Sequence, residues 1–345
     1  MTTLASPEVS VLVRVFVVAG GASLTIFALI ALAWLLSSLR RRRLLGIDGR
    51  WIVVTGCDSG LGQDLAGQLA SRGARVVACC FTEAGAKAAL AHGVALAPCF
   101  DLSDEDAIVR AAREIEVACG GALWALVHNA GIVLPGFIDY QPMSFLRRVM
   151  EVNFFAPALL TKQLLPCLRK ARGRITFVSS VDGIVSLPGN APYDASKFAI
   201  EAYADALRAE QFPWGVHVSV VNPATMRTPM AMGFFEAHRR AWEESERLDP
   251  DGEWRSAYPR EWLDAYVRLN TANLERIAQD PRHAVSDIKH SITAVRPRLR
   301  YLSGALAKTL FYALWVGPEA WSAWFKRALI RPRPVQLPPS PSKER

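Results

Sequence analysis

The sequence predicts an α/β fold, a doubly wound parallel sheet with a transmembrane helix ahead of it. Short apolar runs alternate with helical patterns from about residue 51 onward, which is typical of parallel strands covered by helices on both faces. A glycine-rich turn lies between the first strand and the first helix. Nearer the N-terminus, the uncharged apolar run from Val15 to Leu36 is longer than the roughly 20 residues that cross a bilayer.

The N-terminal segment, residues 1–46, is predicted to be a membrane anchor followed by an arginine run. Arg40 to Arg43 come just after the apolar run, whereas a cleaved signal peptide has its positive charge before the apolar stretch. The positive-inside rule places these arginines, and everything after them, in the cytosol. We therefore expect a membrane protein whose α/β domain faces the cytosol.

The distribution of basic residues argues against a nucleic-acid partner, and the spacing of the cysteines argues against a bound metal. The net charge is +8, but the basic runs Arg40 to Arg43, Arg331 to Arg333 and Lys343 to Arg345 flank the predicted domain. Within the domain there is no stripe of interleaved basic and aromatic residues, so nucleic acid is not an expected partner. The six cysteines show no metal-ligand spacing, so we expect no metal and buried thiols in a reducing compartment.

The first strand, Trp51 to Val54, runs into the glycine-rich turn and is followed by a helix from Gln63 to Ser71. Glycines at this place permit a tight turn, and they let backbone N–H groups and the helix N-terminus approach a pyrophosphate, as in Rossmann-like sheets. An ordinary strand-to-helix turn is the alternative. The candidate cofactor-binding residues of this turn are Thr55, Gly56, Ser59, Gly60, Leu61 and Gly62.

The second strand, Ala74 to Cys80, ends where Rossmann-like folds contact the adenosine ribose. No basic residue follows until Lys87, and the glycine-rich turn carries the acid Asp58. A 2′-phosphate would therefore meet a negative charge and no cation, which favours NAD over NADP as the cofactor. NADP is less favoured but stays open, because the acid that usually ends this strand in NAD-binding folds is missing.

The alternation continues, and several polar residues fall where strands end. The further strands are predicted at Ala95 to Phe100, Leu123 to Val127, Ile175 to Val178 and Val216 to Val221, and two helices at Asp104 to Ala118 and Met143 to Lys170. In a doubly wound sheet, bound groups gather at the carboxyl ends of the strands. Asn129, Ser180 and Pro223 all follow strands in this way, which predicts one common site.

Tyr193 and Lys197 lie four residues apart in a segment with a helical pattern. That spacing puts both side chains on one face, one turn apart. An ammonium beside a phenol favours the phenolate, so we expect the pKa of Tyr193 to fall from about 10 toward neutral pH. Such a tyrosine can exchange a proton during hydride transfer. Surface helices often carry the same spacing by chance, so the weight of this pair depends on the nucleotide site upstream.

These motifs together resemble those of the short-chain dehydrogenase/reductase family, over roughly Gly49 to Tyr301. Met150 to Phe155 and Arg296 to Tyr301 are similar to the membrane-bound hydroxysteroid and retinol dehydrogenases, and most of all to the type 2 11-beta- and 17-beta-hydroxysteroid dehydrogenases. His128 and Ala224 depart from the family pattern at the wall of the cofactor site. The matching positions are Thr55, Gly56, Gly60, Gly62, Asp101, Asn129 to Gly131, Asn153, Ser180, Tyr193, Lys197, Asn222, Pro223 and Thr228.

The resemblance implies a role for each matching side chain. Tyr193 acts as the general acid and base, and Lys197 lowers its pKa and holds the nicotinamide ribose. Ser180 hydrogen-bonds the substrate oxygen, and Asn153 holds a water that links Lys197 to solvent. Turn capping by Ser180 and a helix kink at Asn153 are the structural alternatives. The remaining cofactor contacts are implied at Asp101, which faces the adenine, at Leu102, Asn129, Ala130, Gly131 and Pro223, and at Thr228, which faces the carboxamide.

The segments after Thr228 are predicted to cover the substrate and to meet the membrane. The catalytic domain, residues 47–303, contains an aromatic-rich insertion at 229–283. In this family the insertion covers the substrate, and an apolar cover suits a sterol or retinoid better than a small acid, with a packed core as the alternative. Residues 304–330 are apolar but interrupted and charged, which favours a membrane-associated helix pair at the interface. Residues 331–345 are basic, proline-rich and expected to be disordered.

The sequence thus predicts an NAD-dependent oxidoreductase that interconverts a secondary alcohol and a ketone on a lipophilic substrate. The favoured substrate is a hydroxysteroid that reacts at the 11-beta or 17-beta position. Retinol and 3-hydroxybutyrate dehydrogenases are the enzymatic alternatives. An inactive membrane-bound binding protein on the same fold is a non-enzymatic alternative, against which the complete catalytic set argues. A peripheral scaffold that uses the arginine run is another. The expected location is the endoplasmic reticulum membrane, and a homodimer is left open.

Overall fold

The computed structural model describes residues 43–332 of the protein. The predicted membrane-spanning run at 15–36 lies outside these residues, as does the predicted tail apart from Arg331 and Pro332. Among the described residues, no helix is both long and apolar enough to cross a bilayer. The chain forms two compact units. In the described part of the smaller unit, Leu44 and Ala294 form an isolated antiparallel bridge.

The larger unit is built on a six-stranded sheet in which every neighbouring pair is parallel. The strands are β1 (Trp51–Thr55), β2 (Arg75–Cys79), β3 (Ala125–His128), β4 (Arg174–Val178), β5 (His217–Pro223) and β6 (Arg300–Ser303). Their order is β2-β1-β3-β4-β5-β6, so the direction of winding reverses after β2. Nearly all strand residues are buried, because helices cover both faces of the sheet. The predicted doubly wound, Rossmann-like sheet is confirmed.

The strand predicted at residues 95–100 is wrong. This segment forms only two isolated bridges, from Leu96 to Val77 of β2 and from Cys99 to Cys80 just after β2. Pro98 lies between them and has no N–H to donate, so a continuous ladder is interrupted there. At the opposite edge, β6 was not predicted. Its side chains alternate between half-buried and buried positions and include Arg300, so it does not form the apolar run by which buried strands are found.

The helices lie on both faces of the sheet. They are α1 (Gly60–Ala70), α2 (Glu83–Ala91), α3 (Glu105–Ala118), α4 (Met143–Met150), α5 (Ala156–Ala171), α6 (Ala191–Gln211), α7 (Pro229–Met232), α8 (Phe234–Leu248), α9 (Trp254–Ala257), α10 (Arg260–Ile277), α11 (Arg282–Thr293), α12 (Tyr312–Val316) and α13 (Glu319–Leu329). One face of the sheet packs against α1, α2 and α11, and the other against α3, α5 and α6. Short 3-10 helices cover Val181–Gly183 and Phe212–Trp214, and π-helical turns cover Glu151–Phe155 and Ala307–Phe311.

The single long helix predicted from Met143 to Lys170 is interrupted by the π-helical turn at Glu151–Phe155. Pro157 has no N–H, so it cannot bond the carbonyl of Asn153 four residues earlier, and the α-helical pattern is lost at this point. The side chain of Asn153 is buried in the turn. It accepts a hydrogen bond from the N–H of Ile132 at 2.8 Å and donates one to the C=O of Ile132 at 2.9 Å.

The insertion after β5 packs against the segment between β3 and α4 in an aromatic cluster. Its buried members are Phe137, Tyr140, Trp242, Tyr258, Trp262, Leu263, Tyr266 and Val267. His238 lies among these rings, stacked on Phe235 with the ring centroids 5.8 Å apart. The imidazole is fully buried, and neither ring nitrogen has a hydrogen-bond partner among the described residues. Burial lowers the pKa of His238 to about 3.

We expect His238 to make the protein less stable in mild acid. Between pH 6.5 and 3 the unfolded chain binds a proton at this histidine and the folded chain does not, so stability falls as the pH falls. Going from pH 7.5 to 5.0, the free energy of unfolding of the wild type should drop by about 2 kcal/mol more than that of His238→Leu. Urea unfolding at both pH values measures this difference. The control is His92→Gln, an exposed histidine. Equal pH dependence in wild type and His238→Leu would contradict the expectation.

Candidate active site

A cavity of about 900 Å³ runs along the carboxyl ends of the strands. The glycine-rich turn and the end of β2 line one part of it, and the insertion and the C-terminal helices line the other. Thr55, Gly62 and Asn153 do not line the cavity and support it from behind. The predicted site residues in its wall are Gly56, Ser59, Gly60, Leu61, Asp101, Leu102, Asn129, Ala130, Gly131, Ser180, Tyr193, Lys197, Pro223 and Thr228.

The glycine-rich turn is held in place by the end of β3. Gly56 has a φ of +71°, and a Cβ built on Gly62 would lie 2.1 Å from the Gly56 carbonyl oxygen. The Thr55 hydroxyl accepts hydrogen bonds from the N–H groups of Asn129 at 3.1 Å and Ala130 at 3.0 Å. In return, the Asn129 side chain donates to the carbonyls of Thr55 at 3.0 Å and Gly56 at 3.1 Å. Thr55 and Gly62 therefore shape the turn without facing the cavity.

The turn fits the pyrophosphate of a dinucleotide. It leads directly into α1, whose first turn contains no acid. Ser59 precedes the helix, and its hydroxyl makes no capping hydrogen bond. The N–H groups at a helix N-terminus carry partial positive charge and are available to an anion when no side chain caps them. These are the features that a bound phosphate group needs at this place.

Asp58 lies at the end of β2, where the sequence showed no acid. Its carboxylate accepts hydrogen bonds from the N–H groups of Phe81 and Thr82, both at 2.8 Å, and from the Thr82 hydroxyl at 2.7 Å. The negative charge therefore comes from the glycine-rich turn instead of the strand. Asp58 lies 23 positions before Phe81 in the chain, so the strand pattern alone cannot place it at the end of β2. The signal in the sequence was the presence of an acid in the glycine-rich turn.

Asp101 forms an ion pair with Arg148, with 2.9 Å between Oδ2 and Nη2. Burial favours the neutral acid here, but hydrogen bonds from Arg148 and Ser103 outweigh it and hold the pKa of Asp101 below its usual range. Sequence reasoning did not identify Arg148, which also lines the cavity. The predicted contact of Asp101 with an adenine stays a prediction.

Tyr193 and Lys197 lie one turn apart on α6, as predicted. The Lys197 ammonium is 5.3 Å from the centre of the Tyr193 ring, and it donates a hydrogen bond to the carbonyl of Val178 at 2.9 Å. Asn153 donates to the hydroxyl of Ser196 at 3.0 Å, which links the π-helical turn to α6. Ser180 lines the cavity together with Tyr193 and Lys197.

The expected fall in the pKa of Tyr193 is wrong for the protein without bound ligands. Burial raises the pKa of the phenol above its usual value, the negative charge of Asp182 raises it further, and the Ser180 hydroxyl offsets only part of this rise. Burial also lowers the pKa of Lys197 to about 8, although Asp182 and Glu201 favour its charged form. The spacing rule considered only the attraction between ammonium and phenolate, whereas desolvation acts on both groups.

A pair of acids beside Ser180 was also missed. Asp182 lines the cavity, and Asp194 is buried behind it. The side-chain amide of Asn190 donates to both carboxylates, at 2.7 Å to Asp194 and 3.4 Å to Asp182. The N–H of Leu187 donates a further bond to Asp194 at 2.6 Å. Burial raises the pKa of both carboxyls, and their repulsion adds to the effect at Asp194.

Ser180 and Asn153 also have the structural roles that were considered as alternatives to a role at the site. The Ser180 hydroxyl caps the Val181–Gly183 turn by accepting the N–H of Asp182 at 3.1 Å. Asn153 lies in the interruption of its helix. Of the two departures from the family pattern, Ala224 lines the cavity and His128 does not. His128 is buried and pairs with the Thr161 hydroxyl at 2.8 Å, so its expected place in the cofactor wall is wrong.

The far part of the cavity is lined mainly by apolar side chains. They come from the insertion (Met230, Phe234, Phe235 and Tyr266) and from the C-terminal segment (Leu306, Leu310, Phe311, Phe325, Leu329 and Ile330). Two roles were expected for the aromatic residues of the insertion, to cover the substrate or to pack as core. Trp242, Tyr258 and Trp262 form a packed core, Phe234 faces the cavity, and Phe235 and Tyr266 do both. A glycine-rich turn for an anion, proton-exchanging groups and an apolar chamber in one cavity are features of a dinucleotide-dependent oxidoreductase.

Comparison with known proteins agrees with this class. Residues 50–239 match the family model described as short chain dehydrogenase. Retinol dehydrogenase 7 of Mus musculus is 33% identical over 299 residues, which cover 84% of this chain and 91% of the relative. Short-chain dehydrogenase/reductase family 9C member 7 of Bos taurus is 37% identical over 279 residues (78% and 86%). The 17-beta-hydroxysteroid dehydrogenase type 6 of Bos taurus is 33% identical over 294 residues (83% and 90%).

Two solved structures share the fold. A short-chain dehydrogenase from Streptomyces avermitilis aligns with a TM-score of 0.63 and 22% identity, covering 81% of this chain and 97% of the other. One from Burkholderia cenocepacia J2315, in complex with NADP, aligns with a TM-score of 0.61 and 24% identity (81% and 98%). The chain belongs to the short-chain dehydrogenase/reductase family, in the branch of the hydroxysteroid and retinol dehydrogenases, and is an NAD(P)-dependent oxidoreductase that acts on alcohol groups.

Proposed function

We propose that the protein is an NAD-dependent dehydrogenase that interconverts a secondary alcohol and a ketone on a hydroxysteroid, at the 11-beta or 17-beta position. The observation that carries the proposal is the continuity of one cavity from the glycine-rich turn, past Ser180, Tyr193 and Lys197, into the apolar chamber. A few polar groups at one end of an apolar pocket suit a rigid lipophilic substrate whose reacting oxygen must be held in place. Retinol is the second candidate, because several relatives are named retinol dehydrogenases.

In the proposed mechanism, Tyr193 takes the proton of the substrate hydroxyl as the alcohol is oxidised, and returns it in the reverse reaction. The glycine-rich turn and Lys197 would hold NAD, which would supply the acceptor for the hydride of the carbinol carbon. Ser180 donates a hydrogen bond to the substrate oxygen, where negative charge develops. Because burial raises the pKa of Tyr193, the phenolate needs the nearby charge of Lys197, which the Val178 carbonyl holds in position.

Asn153 is proposed to support Lys197 through a water. A Cβ built on Gly131 would lie 3.3 Å from the Asn153 side-chain oxygen and 3.6 Å from the Lys197 ammonium. A glycine between the two groups therefore keeps the space between them open. A water in that space would bond both groups and carry protons away from Lys197.

A substrate screen tests the proposed function. The full-length protein in membranes is assayed with NAD and with NADP against 11-beta- and 17-beta-hydroxysteroids, all-trans-retinol and 3-hydroxybutyrate. We expect the highest kcat/KM for a hydroxysteroid with NAD. A preference for 3-hydroxybutyrate would contradict the proposed substrate class. Tight steroid binding without turnover would instead favour the inactive binding protein.

We expect Asp58→Asn to weaken the preference for NAD. In Rossmann-like folds the ribose lies at the end of β2, where the Asp58 carboxylate is found. A phosphate about 5 Å away would be repelled by up to about 3 kcal/mol per unit charge at an effective dielectric constant of 20. The ratio of kcat/KM for NADP to that for NAD should rise on the order of tenfold or more.

Phe81 and Thr82 donate to different oxygens of Asp58, so asparagine keeps an acceptor for one of these N–H groups and the other loses its partner. The matched control is Asp106→Asn, which removes an exposed acid on α3 and should leave the ratio unchanged. An unchanged ratio in Asp58→Asn, or a wild type that prefers NADP, would contradict the assignment.

We also propose that the C-terminal helices lie at the bilayer interface, in the endoplasmic reticulum with the catalytic domain facing the cytosol. Phe325 and Leu329 of α13 line the cavity, while Trp321 and Trp324 on the same helix are 61% and 72% exposed. Tryptophan favours membrane interfaces, so a lipophilic substrate would pass from the bilayer into the cavity here. The N-terminal anchor and a homodimer stay predictions.

Trp321→Glu with Trp324→Glu should lower kcat/KM several-fold for a steroid delivered in vesicles. Each glutamate adds a charge to a surface that would lie in the membrane interface. The kcat/KM for a water-soluble steroid conjugate should change by less than about twofold. The control is Phe212→Glu, which charges an exposed aromatic residue outside α13. Equal losses with both forms of substrate would contradict entry from the bilayer.

A further inference from the structure

Glu201 lies on the same face of α6 as Tyr193 and Lys197, because the three residues follow one another at intervals of four. Unlike those two, it does not line the cavity. Glu201 is buried behind the catalytic pair, with 7% of the residue exposed. A buried carboxylate is costly unless it is paired and hydrogen-bonded, so the partners of Glu201 indicate its role.

The Glu201 carboxylate joins two other segments of the chain to α6. One oxygen, Oε1, accepts a hydrogen bond from the side-chain amide of Asn222 at 2.5 Å. The other, Oε2, is paired with the guanidinium of Arg300, whose Nε donates to it at 3.0 Å. Asn222 lies near the end of β5, and Arg300 is the first residue of β6. Glu201 therefore ties α6 to both strands.

Asn222 extends this connection to Ser180. The same side-chain nitrogen donates a second hydrogen bond, to the backbone carbonyl of Ser180 at 2.9 Å. Asn222 is completely buried, and its side-chain oxygen has no partner among the described residues. Only the nitrogen end of the amide can donate to these two acceptors. The Glu201 carboxylate and the Ser180 carbonyl together therefore fix the direction in which the amide points.

The turn that follows Ser180 also packs against Glu201. A Cβ built on Gly183 would lie 3.2 Å from the Cγ of Glu201 and 3.1 Å from the backbone carbonyl oxygen of Lys197. The Val181–Gly183 turn is thus in close contact with α6 at these two residues. The hydrogen bonds through Asn222 hold the Ser180 carbonyl, and this packing holds the residues directly after it.

We propose that Glu201 is a positioning residue, which holds the backbone of Ser180, through Asn222 and the Val181–Gly183 turn, where its hydroxyl meets the substrate oxygen. This inference rests on the proposed function, in which Ser180 donates to that oxygen. Only one rotatable bond lies between the Ser180 backbone and its hydroxyl oxygen, so a fixed backbone leaves three staggered places for that oxygen. A misplacement of about 1 Å at a reacting group can cost on the order of 10²-fold in rate.

Glu201 has a second route to the site, through its charge. Burial lowers the pKa of Lys197, and the charges of Asp182 and Glu201 offset part of this fall. Arg300 partly neutralises Glu201. The two routes make different predictions. An effect of charge on Lys197 would be felt with or without the Ser180 hydroxyl, whereas positioning matters only to an enzyme that has the hydroxyl.

Glu201→Gln tests the proposal, because glutamine keeps the size of the side chain but has one oxygen for two former partners. In the full-length enzyme in membranes, with NAD and its steroid, kcat should fall on the order of tenfold, the worth of one hydrogen bond. The Kd for NADH should change by less than about threefold, since the hydrogen bonds of Glu201 do not reach the glycine-rich turn. General loss of folding would instead weaken NADH binding as well.

Asp205→Asn is the matched control. Asp205 lies one turn after Glu201 on α6 and also faces Arg300, at 3.6 Å, but it is exposed and pairs with Arg208. Its kcat should stay within about twofold of wild type. Asn222→Ala removes the same bridge from its other end, and should lower kcat about as much as Glu201→Gln. Wild-type kcat in both Glu201→Gln and Asn222→Ala would overturn the proposal.

A Ser180→Ala background separates positioning from charge. Without the hydroxyl nothing is left to position, so Glu201→Gln should lower the residual kcat by less than about twofold. A further tenfold loss in that background would overturn the proposal, and would leave the charge acting on Lys197 as the role of Glu201.

Hydrogen exchange of the Asn222 side-chain amide gives a readout that does not depend on turnover. NMR of protein with isotope-labelled asparagine shows this amide, and its signal is identified by its loss in Asn222→Ala. We expect exchange on the order of tenfold faster in Glu201→Gln than in the wild type. Equal exchange would also overturn the proposal. If the wild type oxidises no alcohol at all, the proposed function fails, and the exchange rates still decide whether Glu201 holds Asn222.

Discussion

Tyr193→Phe is expected to lower kcat by about 10²- to 10⁴-fold, the usual contribution of a general acid or base. The change removes one oxygen and keeps the ring, so the contact with Lys197 and the packing of α6 should remain. Steady-state rates of steroid oxidation and ketone reduction, with saturating cofactor, measure the effect.

The matched control for this variant is Tyr203→Phe. Tyr203 lies on the same helix and packs edge-on against Phe154 and Phe177, away from the cavity. Its loss should change kcat by less than about twofold, because it does not touch the reacting groups. Tyr193→Phe with more than a tenth of wild-type kcat would show that the proton goes elsewhere.

Gly62→Ala is expected to abolish tight cofactor binding. The added Cβ would lie 2.1 Å from the Gly56 carbonyl oxygen and 2.5 Å from the Asn129 side-chain nitrogen. Neither is the loose end of a flexible side chain, so the glycine-rich turn must move away from α1. That movement would break the Asn129–Gly56 hydrogen bond. Overpacking of this kind costs about 1–3 kcal/mol or more, and the Kd for NADH should rise on the order of 10²-fold.

Gly67→Ala is the matched control, since it makes the same change five residues later on the same helix. A Cβ built there meets nothing within 4 Å, and alanine favours a helix over glycine by up to about 1 kcal/mol. It should bind NADH as the wild type does and melt at an equal or higher temperature. Titration calorimetry and thermal unfolding compare the two variants. Wild-type affinity in Gly62→Ala would contradict the place assigned to the turn.

The sequence was sufficient for those parts of the fold that depend on local patterns. The central strands are apolar runs buried on both faces, so they could be predicted with bounds close to those found. The segment beside β2 and the edge strand β6 could not, because chain at the edge of a sheet need not be apolar and is easily interrupted. Pro98 breaks the segment beside β2, and the charged Arg300 lies within β6. The interruption at Asn153 depends on Pro157, whose missing N–H was visible in the sequence but was not used.

For the candidate site, the sequence predicted which side chains lie together but not their pKa values. The four-residue spacing was enough to place Tyr193 next to Lys197. It was not enough for their pKa values, which depend on burial and on Asp182, a residue from another segment. Asp58 illustrates the same limit, because its distance from β2 in the chain hid its position at the end of that strand. Local sequence patterns do not predict contacts between segments that are far apart in the chain.

The central claim, that Tyr193 serves hydride transfer from a lipophilic secondary alcohol to NAD, is tested most directly with a labelled substrate. The full-length enzyme in membranes is given NAD and an 11-beta- or 17-beta-hydroxysteroid that carries deuterium on the carbinol carbon, and the reduced cofactor is analysed by mass spectrometry. We predict that the reduced cofactor carries the deuterium in proportion to the ketone formed, and that Tyr193→Phe forms almost none. Ketone formed with an unlabelled reduced cofactor, or full labelling by Tyr193→Phe, would contradict the account.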